Sequence, residues 1–345
     1  MAARVLTLRE LNRALLTRQL LLDRKRLSPV AVVERLVGMQ AQWPPAPYVG
    51  IWTRVTSFQR ETLERAILAG EVLKPTVMRG TLHLVTARDY PMFFAAFKDL
   101  LTWFRGIHLE AALEVVPAAR ALAEREPLTM MSGLALLEEH GHVDQEARRI
   151  FHAVRRHAHL LHGPETALWS SRPLAVYHPV PEPEPVDVLA ARTELMRRYL
   201  TAFGPATRAD IADWSGLRVT DFAPALEALE PLRRFCDERG RELLDVQRAP
   251  LPDADTPAPV RFLPTWDATL LVNCRRTQIL PERHRPVIFS TTTPHSVGTL
   301  LVDGQVAGTW RTSGDSVEVE TFEALPRAAR RELKDETERL REFVR

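Results

Sequence analysis

Cysteine, lysine and long apolar runs are scarce in this 345-residue chain, and each scarcity excludes a class of protein. The two cysteines, Cys236 and Cys274, are distant in sequence and lack CxxC spacing, so neither a disulfide framework nor a zinc site is predicted. No stretch approaches the roughly 18 apolar residues of a transmembrane helix. The formal net charge is only +2, which excludes a histone-like polycation but permits a local basic surface.

Arginine supplies nearly all of the positive charge. Lysine occurs only at Lys25, Lys74, Lys98 and Lys334, among 46 basic residues in total. The planar guanidinium group matches phosphate oxygens, so this bias suits contacts with a nucleic-acid backbone. A hydrophobic content of 45% and a charged content of 26% are typical of a globular protein, and the length allows about two to four domains.

Motifs of several enzyme classes are also missing. The sequence contains no HExxH, Walker A, GxSxG or GxGxxG pattern, and we predict neither a metal ion nor a cofactor. The N-terminal segment is rich in arginine, as transit peptides are, but its leucines share one helix face and acidic residues interrupt its charge. A folded first helix is the better interpretation, and we expect a cytoplasmic protein.

The first recurring pattern is helical and ends in a strand-like segment. Thr7-Leu8-Arg9-Glu10 predicts a helix start with a capping box, and Ser28-Pro29 predicts a second start. The second helix is expected to end at Gln40-Ala41-Gln42, because two prolines follow at once. A third helix is predicted at about 61–68, followed by a hairpin in the segment 72–86, where 76–85 is strand-like. This layout is typical of a winged helix.

The same plan recurs twice. In the second copy, helices are predicted at about 130–140 and 145–161, with a wing strand at 169–177. In the third copy, a capped helix and glycine turn occupy 207–217, and a second helix follows at about 220–229. Glu238-Arg239-Gly240-Arg241 would form the tip of its wing. These are similarities of pattern, and no sequence repeat is detectable.

The C-terminal quarter has a different sequence pattern, in which short apolar runs alternate with turns. Asp303-Gly304 predicts a hairpin turn, and a final helix is expected at about 326–343. The predicted strands are 262–264, 270–272, 287–289, 298–302, 306–310 and 317–319. The fold class is therefore mostly α, α+β: three tandem winged helices and a small C-terminal β-barrel. The expected domains span 1–115, 116–185, 186–255 and 256–345.

Four segments together resemble one known family over nearly the whole chain. They are Gln40-Ala41-Gln42, Arg79-Gly80-Thr81-Leu82-His83, Phe262-Leu263-Pro264-Thr265-Trp266-Asp267, and the run from Val302 to Trp310. The family is that of the winged-helix DNA-binding proteins that include the AlkZ- and YcaQ-type DNA glycosylases, and Gln-x-Gln is closer to the AlkZ branch. The resemblance implies a concave cleft for duplex DNA, with Gln40 and Gln42 as catalytic residues. From composition alone, the two glutamines would instead be caps of a helix C-terminus.

The implied reaction is hydrolysis of the N-glycosidic bond of alkylated purines, including bulky adducts and interstrand crosslinks. Neutral glutamines cannot act as strong general bases, so they suit a cationic leaving group such as N7-alkylguanine. A monofunctional and monomeric enzyme acting on double-stranded DNA in the nucleoid is expected. The alternatives are a non-catalytic winged-helix DNA-binding protein, such as a transcriptional regulator, and a protein-interaction module.

Further candidates for DNA contacts are basic or aromatic. Arg79 and His83 are predicted to lie on a strand or hairpin and to face the same side, and Trp43 is predicted to stack on nucleotides or pack in the core. A basic helix face and a basic hairpin add the rest: Arg149, His152, Arg156, His159, Arg275, Arg276, Arg283 and Arg285. Arg148 and Arg155 would broaden the helix face, which could also be merely solvated. Asp267 is a possible acidic helper, although a structural turn aspartate is the favoured interpretation.

Overall fold

The computed structural model describes residues 4–98, 100, 109–172, 175–271, 277–289, 297–313 and 316–345. They form an α+β fold with small sheets. The helices are α1 (Leu8–Arg18), α2 (Pro29–Arg35), α3 (Pro45–Trp52), α4 (Arg60–Leu68), α5 (Tyr90–Ala96), α6 (Leu109–Arg125), α7 (Met130–Glu139), α8 (Asp144–His157), α9 (Val188–Phe203), α10 (Arg208–Ser215), α11 (Val219–Ala228), α12 (Ala268–Leu271), α13 (Arg285–Ile288) and α14 (Arg327–Val344). Among these described residues, no helix has the length and apolar character needed to cross a membrane.

The described strands have two to nine residues, and the longest of them, β12, lies in the last sheet. They are β1 (Val5–Leu6), β2 (Met39–Gln40), β3 (Val72–Leu73), β4 (His83–Thr86), β5 (Leu128–Thr129), β6 (Leu160–His162), β7 (Val176–Pro179), β8 (Arg233–Asp237), β9 (Glu242–Asp245), β10 (Arg261–Leu263), β11 (Gly298–Val302), β12 (Gln305–Ser313) and β13 (Ser316–Thr321). They assemble into three three-stranded sheets and one four-stranded sheet.

Several helices begin where the sequence predicts, because nearby side chains cap their first turns. The Thr7 side chain accepts from the Glu10 amide, and the Glu10 carboxylate accepts from the Thr7 amide at 2.8 Å, which closes a capping box on α1. Ser28 caps α2, with Pro29 as its first residue. Thr207 caps α10, and Gly216, with a φ of 79°, ends it in the left-handed conformation that favours glycine.

Three segments share one topology, consistent with a winged-helix type of fold. In unit 1 (29–86) the sheet order is β2-β4-β3, and in unit 2 (109–179) it is β5-β7-β6. The strand before the helix pair thus joins one edge of the final hairpin in each unit. Unit 3 (188–245) repeats this with a bridge from Ala206 to Leu244 beside β8 and β9. The loops that join each hairpin are called wing 1 (74–82) and wing 3 (238–241).

The N-terminal segment and helix α6 cross the domain boundaries that the sequence predicts. Strand β1 pairs in parallel with β8, and α1 packs on α9, so the N-terminus joins unit 3. The expected boundary after residue 115 falls inside α6, because Ala112 and Val115 are buried in the core of unit 2. At both places, contacts with residues distant in sequence determine the unit in which a segment packs.

The C-terminal sheet (β10 to β13) is not the predicted barrel. Its order is β10-β11-β12-β13, all antiparallel, and within the described residues the two outer strands do not pair with each other. The predicted strands at 270–272 and 287–289 are also wrong, because Leu270 and Leu271 lie in α12 and Val287 and Ile288 lie in α13. Short apolar runs do not distinguish a strand from a buried helical turn. The Asp303-Gly304 hairpin turn is confirmed.

The predicted wings of units 1 and 2 need correction, whereas that of unit 3 is confirmed. The segment 76–85 is mostly not strand: a 3₁₀ turn occupies Met78–Gly80, and β4 begins at His83. In unit 2 the wing strand runs over Val176–Pro179 instead of 169–177. Wing 3 connects β8 and β9 at the predicted tip.

Candidate active site

The two glutamines lie in a short strand and the loop after it, not at a helix end. Helix α2 ends at Arg35, and Val37 and Gly38 then take left-handed φ values of 58° and 87° that turn the chain into β2. A Cβ on Gly38 would lie 3.2 Å from the Leu84 carbonyl oxygen, so a side chain would be strained there. The prolines also act differently from the prediction: Pro45 is the first residue of α3, a helix that the sequence analysis missed.

Both amide oxygens are held by groups that can only donate. Gln42 Oε1 accepts from the backbone N–H of Leu82 at 3.0 Å, and Gln40 Oε1 accepts from Arg79 Nη2 at 3.0 Å. Because neither partner can accept, these contacts set the orientation of each amide. The backbone reinforces the alignment, since the Ala41 amide donates to the Leu82 carbonyl at 2.8 Å. The side chains therefore bond to wing 1 rather than to the helix carbonyls that the capping interpretation requires.

Arg79 connects three parts of the chain. It sits in the 3₁₀ turn of wing 1 with a φ of 54°, and its Nη1 donates to the Trp214 carbonyl of α10 while Nη2 holds Gln40. Gly216 lies directly against it, because a Cβ there would be 2.9 Å from Arg79 Cα. Of the predicted strand or hairpin, the structure shows a hairpin, with Arg79 in its loop and His83 as the first residue of β4, so the two residues do not share a strand.

His83 is an interior residue. Its exposed fraction is 3%, and the carbonyl of Thr81 lies 3.0 Å from Nδ1. Burial, followed by the positive charge of Arg79, lowers the pKa of His83 to about 3 although the contact with the Thr81 carbonyl opposes the shift. At neutral pH the imidazole is uncharged, and its Nδ1–H donates to the carbonyl. His83 pairs with Gln40 across β2 and β4, so it supports the strand that carries the first glutamine.

The loop after β10 closes over Gln40. A cavity of about 10 Å³, close to the volume that holds one water, is lined by Gln40 and by Thr265, Trp266 and Asp267. Asp267 receives two bonds of 2.8 Å from the buried guanidinium of Arg54. Burial would raise the pKa of Asp267, but Arg54 and the hydrogen bonds from Thr269 outweigh it and hold the pKa below its usual value. Asp267 thus has the structural turn role, as the favoured interpretation predicts.

A groove of about 560 Å³ opens beside this loop. Trp43, directly after Gln42, lines it from unit 1, and β12 and β13 line it from the C-terminal sheet. Thr265 lines both the groove and the small cavity at Gln40, so the two spaces are neighbours. Trp43 is half-buried, which places it at the edge of the groove rather than in the core.

The basic face of α8 differs from the predicted one. Arg148 and Arg149 are exposed, but Arg155 is buried over the ring of Tyr177, 4.3 Å from its centroid. Arg156 donates to the Phe94 carbonyl at 2.6 Å and covers the Phe94 ring. The helix ends at His157, before the predicted end at 161. Half of the arginines of α8 thus make contacts inside the protein, Arg155 with Tyr177 of β7 and Arg156 with Phe94 of α5.

The two histidines of the predicted basic face also make contacts inside the protein. His152 Nδ1 is 2.6 Å from Arg155 Nη2, and His159 lies beyond the helix against Phe94. Burial lowers the pKa of His159, which favours the neutral imidazole.

The predicted basic hairpin is a helical turn where it is described. Arg283 lies in the 3₁₀ turn Glu282–His284, and Arg285 begins α13. Arg283 pairs with Glu323 at 2.9 Å and Arg285 with Glu282 at 2.9 Å. Arg275 and Arg276 lie outside the described residues.

Sequence reasoning missed the interior arginines that hold the site. Arg54 is 1% exposed and joins α3 to Asp267, and no local pattern marks it, since its partner is 213 residues away. The described residues contain no group of three or more His, Cys, Asp or Glu arranged to hold a metal ion.

Comparison with known proteins matches this chain to one protein family. A family model described as DNA glycosylase AlkZ-like matches residues 33–343. A curated relative from Streptomyces sahachiroi, named interstrand DNA cross-link repair glycosylase, is 24% identical over 90% of both chains. A solved structure of Streptomyces sahachiroi DNA glycosylase AlkZ superimposes with a TM-score of 0.81 at 19% identity, covering 99% of this chain and 97% of that one.

Proposed function

The chain belongs to the AlkZ-like family of DNA glycosylases, and from this premise we propose that it hydrolyses the N-glycosidic bond of cationic alkylated purines in duplex DNA. N7-alkylguanines are the proposed substrates, including bulky adducts and interstrand crosslinks. The family membership carries the reaction class. The observation that carries the substrate class is the pair of neutral amides whose oxygens are held by Arg79 and Leu82.

The amides suit a leaving group that is already activated. A purine alkylated at N7 carries a positive charge, so the electron pair of the breaking C1′–N9 bond neutralises the departing base. Positive charge then develops on the sugar, as in other oxocarbenium-like reactions. Each carbonyl oxygen has two lone pairs, and a pre-oriented oxygen can stabilise this charge or hold the attacking water. Water supplies the new C1′ oxygen and releases its proton to solvent.

Arg79 is proposed as a positioning residue in this scheme. It holds Gln40 and the Trp214 carbonyl, and His83 supports the same strand as a neutral group. Uracil and hypoxanthine leave as anions unless a general acid protonates them, and a glutamine amide is no such acid. The proposed enzyme is monofunctional and excises neither base.

The proposed architecture is three winged helices followed by the C-terminal sheet, in a monomeric cytoplasmic protein. Among the DNA-contact candidates, Arg149 is the exposed residue of α8 proposed to bind phosphate, whereas Arg156 is proposed to hold α8 on α5. His152, Arg283 and Arg285 are secondary candidates because each already contacts a neighbour. Alanine at Arg149 should reduce the salt dependence of DNA affinity by about one unit of slope, while alanine at Arg156 should mainly destabilise the fold.

The test is single-turnover excision from duplex DNA carrying one N7-methylguanine. We expect release of free N7-methylguanine, and at least about a 100-fold loss in Gln42→Ala and Gln40→Ala, since removal of one pre-organised polar group typically has that effect. A uracil duplex is the negative control, and DNA binding and thermal melting report on the fold. Tight binding of every duplex without release of any base would instead favour the non-catalytic DNA-binding alternative.

A further inference from the structure

The groove beside Gln42 has the size and composition of a ligand site. Its volume of about 560 Å³ lies within the range of small-molecule pockets, roughly 300–1,000 Å³. Two tryptophans contribute to it: Trp43 at one edge and Trp310 on β12. The proposed reaction at the glutamines does not require this space when the alkyl group is a methyl.

The wall built on Trp310 is rigid. Its side chain is 5% exposed, and Nε1 donates to the Leu263 carbonyl at 2.8 Å. Gly298 on the neighbouring strand lies directly over the ring, because a Cβ there would be 2.7 Å from Trp310 Cε2. Little of this ring therefore faces the groove, and the half-buried Trp43 is the tryptophan that leaves aromatic surface open to a planar group.

The charges of the groove disfavour phosphate. Its lining contains one arginine, Arg311, which pairs with Glu318 at 2.7 Å, and a second carboxylate, Glu320. The sum is one net negative charge, so the groove repels a DNA backbone and accepts a neutral or cationic group. This separates it from the basic surfaces expected to follow the phosphates.

We propose that this groove binds the bulky substituent of an alkylated purine while Gln40 and Gln42 face its glycosidic bond. The proposal rests on the proposed function, and it specifies the substrate class as purine adducts that carry a neutral or cationic planar group. The path from the site to the groove is short, since Trp43 follows Gln42 and Thr265 lines both spaces. Thr309, on the groove side of β12, determines how large that group can be.

The test compares two duplexes, one with 7-methylguanine and one with 7-benzylguanine. Thr309→Phe narrows the groove, and Thr321→Phe is the matched control, because Thr321 is an exposed threonine of the same sheet that does not line the groove. We expect Thr309→Phe to lower kcat/KM for the benzyl adduct by about tenfold or more relative to the methyl adduct. Thr321→Phe should leave that ratio unchanged.

A second variant tests the charge of the groove without adding bulk to the sheet interior. Glu320→Lys should lower kcat/KM for a 7-(4-ammoniomethyl)benzyl adduct by about tenfold relative to 7-benzylguanine, because it replaces attraction by repulsion. Thr321→Lys is its control. If Thr309→Phe fails to fold, Glu320→Lys still tests whether the groove binds the substituent.

The outcomes separate the two proposals. If the wild-type protein excises 7-methylguanine but not 7-benzylguanine, the groove proposal is overturned and the proposed function stands. The groove proposal is also overturned if Thr309→Phe and Glu320→Lys show the same kcat/KM ratios between adducts as their Thr321 controls. Wild-type protein that excises neither base overturns the proposed function, and the groove proposal falls with it.

Discussion

Wing 1 and wing 3 occupy the same place in the same topology, yet they face opposite environments. Residues 74–82 of wing 1 are all buried or half-buried, whereas residues 238–241 of wing 3 are all exposed. Each contains a glycine with positive φ and at least one arginine. Arg79 of wing 1 bonds to β2 and α10, while Arg241 of wing 3 bonds to Asp237 at the base of its own hairpin.

A wing of this topology can therefore support a site inside the protein instead of being exposed at the surface. Wing 1 donates the Leu82 amide to Gln42 and the Arg79 guanidinium to Gln40, so it sets the geometry of the candidate site. Its Lys74 is buried as well and donates to the Thr166 carbonyl of unit 2 at 2.6 Å. Wing 3 is exposed, and Glu238 in it accepts from the Leu8 amide at 3.0 Å.

The largest expected difference between the wings lies in their arginines. Arg79→Ala removes the donor to Gln40 and to the Trp214 carbonyl, so we expect excision to fall by about 100-fold, because small misplacements of catalytic groups have effects of that size. Arg241→Ala should change excision less than about twofold, since exposed ion pairs contribute at most about 1 kcal/mol. Single-turnover rates on 7-methylguanine duplex measure both, and melting temperatures report on folding. Full activity in Arg79→Ala would remove wing 1 from the site.

Two glycines, one against wing 1 and one within wing 3, should differ in how much an added methyl group destabilises the fold. Gly216 packs against wing 1 with a φ of 79°, whereas Gly240 in wing 3 has a φ of 75° and open space within 4 Å of the position that a Cβ would take. Alanine costs about 1–2 kcal/mol at either place for the left-handed backbone. Gly216→Ala adds a clash with Arg79 Cα, so we expect a further loss of about 1–3 kcal/mol. Urea unfolding of both variants gives the difference, and equal losses would mean that wing 1 yields to the added carbon.

A pH titration tests the interior position of His83 at the end of wing 1. The pKa of His83 is lowered to about 3, so between pH 6.5 and 3 the unfolded chain binds a proton that the folded chain does not. Stability is therefore lost as the pH falls through this window, by about 2 kcal/mol between pH 7 and pH 5. His83→Gln should flatten that part of the stability curve, while the same change at the exposed His140 is the control. Parallel curves for wild type and His83→Gln would contradict the buried neutral imidazole.

The smallest effect is expected at the tip of wing 3. Arg239→Ala should leave stability within about 0.5 kcal/mol, because the side chain is exposed. If wing 3 meets the DNA backbone, the slope of log affinity against log salt should decrease by about one. Fluorescence anisotropy on an undamaged duplex at several salt concentrations measures this, with Glu238→Gln as a neighbouring control. An unchanged slope would show that Arg239 does not contact the DNA backbone.

Elements governed by local chemistry could be predicted from the sequence. The starts of α1, α2 and α10 follow from Thr7, Ser28 and Thr207, whose side chains cap the first turn without help from distant residues. The wing 3 tip and the Asp303-Gly304 turn follow in the same way from residues that accept positive φ.

Elements governed by distant contacts could not be predicted in this way. The glutamines were expected at a helix end, but the positive φ values of Val37 and Gly38 and the pairing with β4 place Gln40 in a strand. Arg155 follows a helical basic pattern, yet Tyr177 from β7 covers it. In each case the deciding partner lies far along the chain, where periodicity carries no information. The Gln-x-Gln motif itself could be found only through family resemblance.

The interior ion pairs bear on how such a chain can change in evolution or engineering. Arg54 bonds to Asp267 and Arg18 to Asp245, across separations of 213 and 227 residues. A protein cut after residue 255 would leave Arg54 without its carboxylate, and an unpaired buried charge costs about 3–5 kcal/mol. Unit 1 therefore depends on the C-terminal segment and is not an independent module. A graft that brings the glutamine strand into another scaffold must bring Asp267 with it.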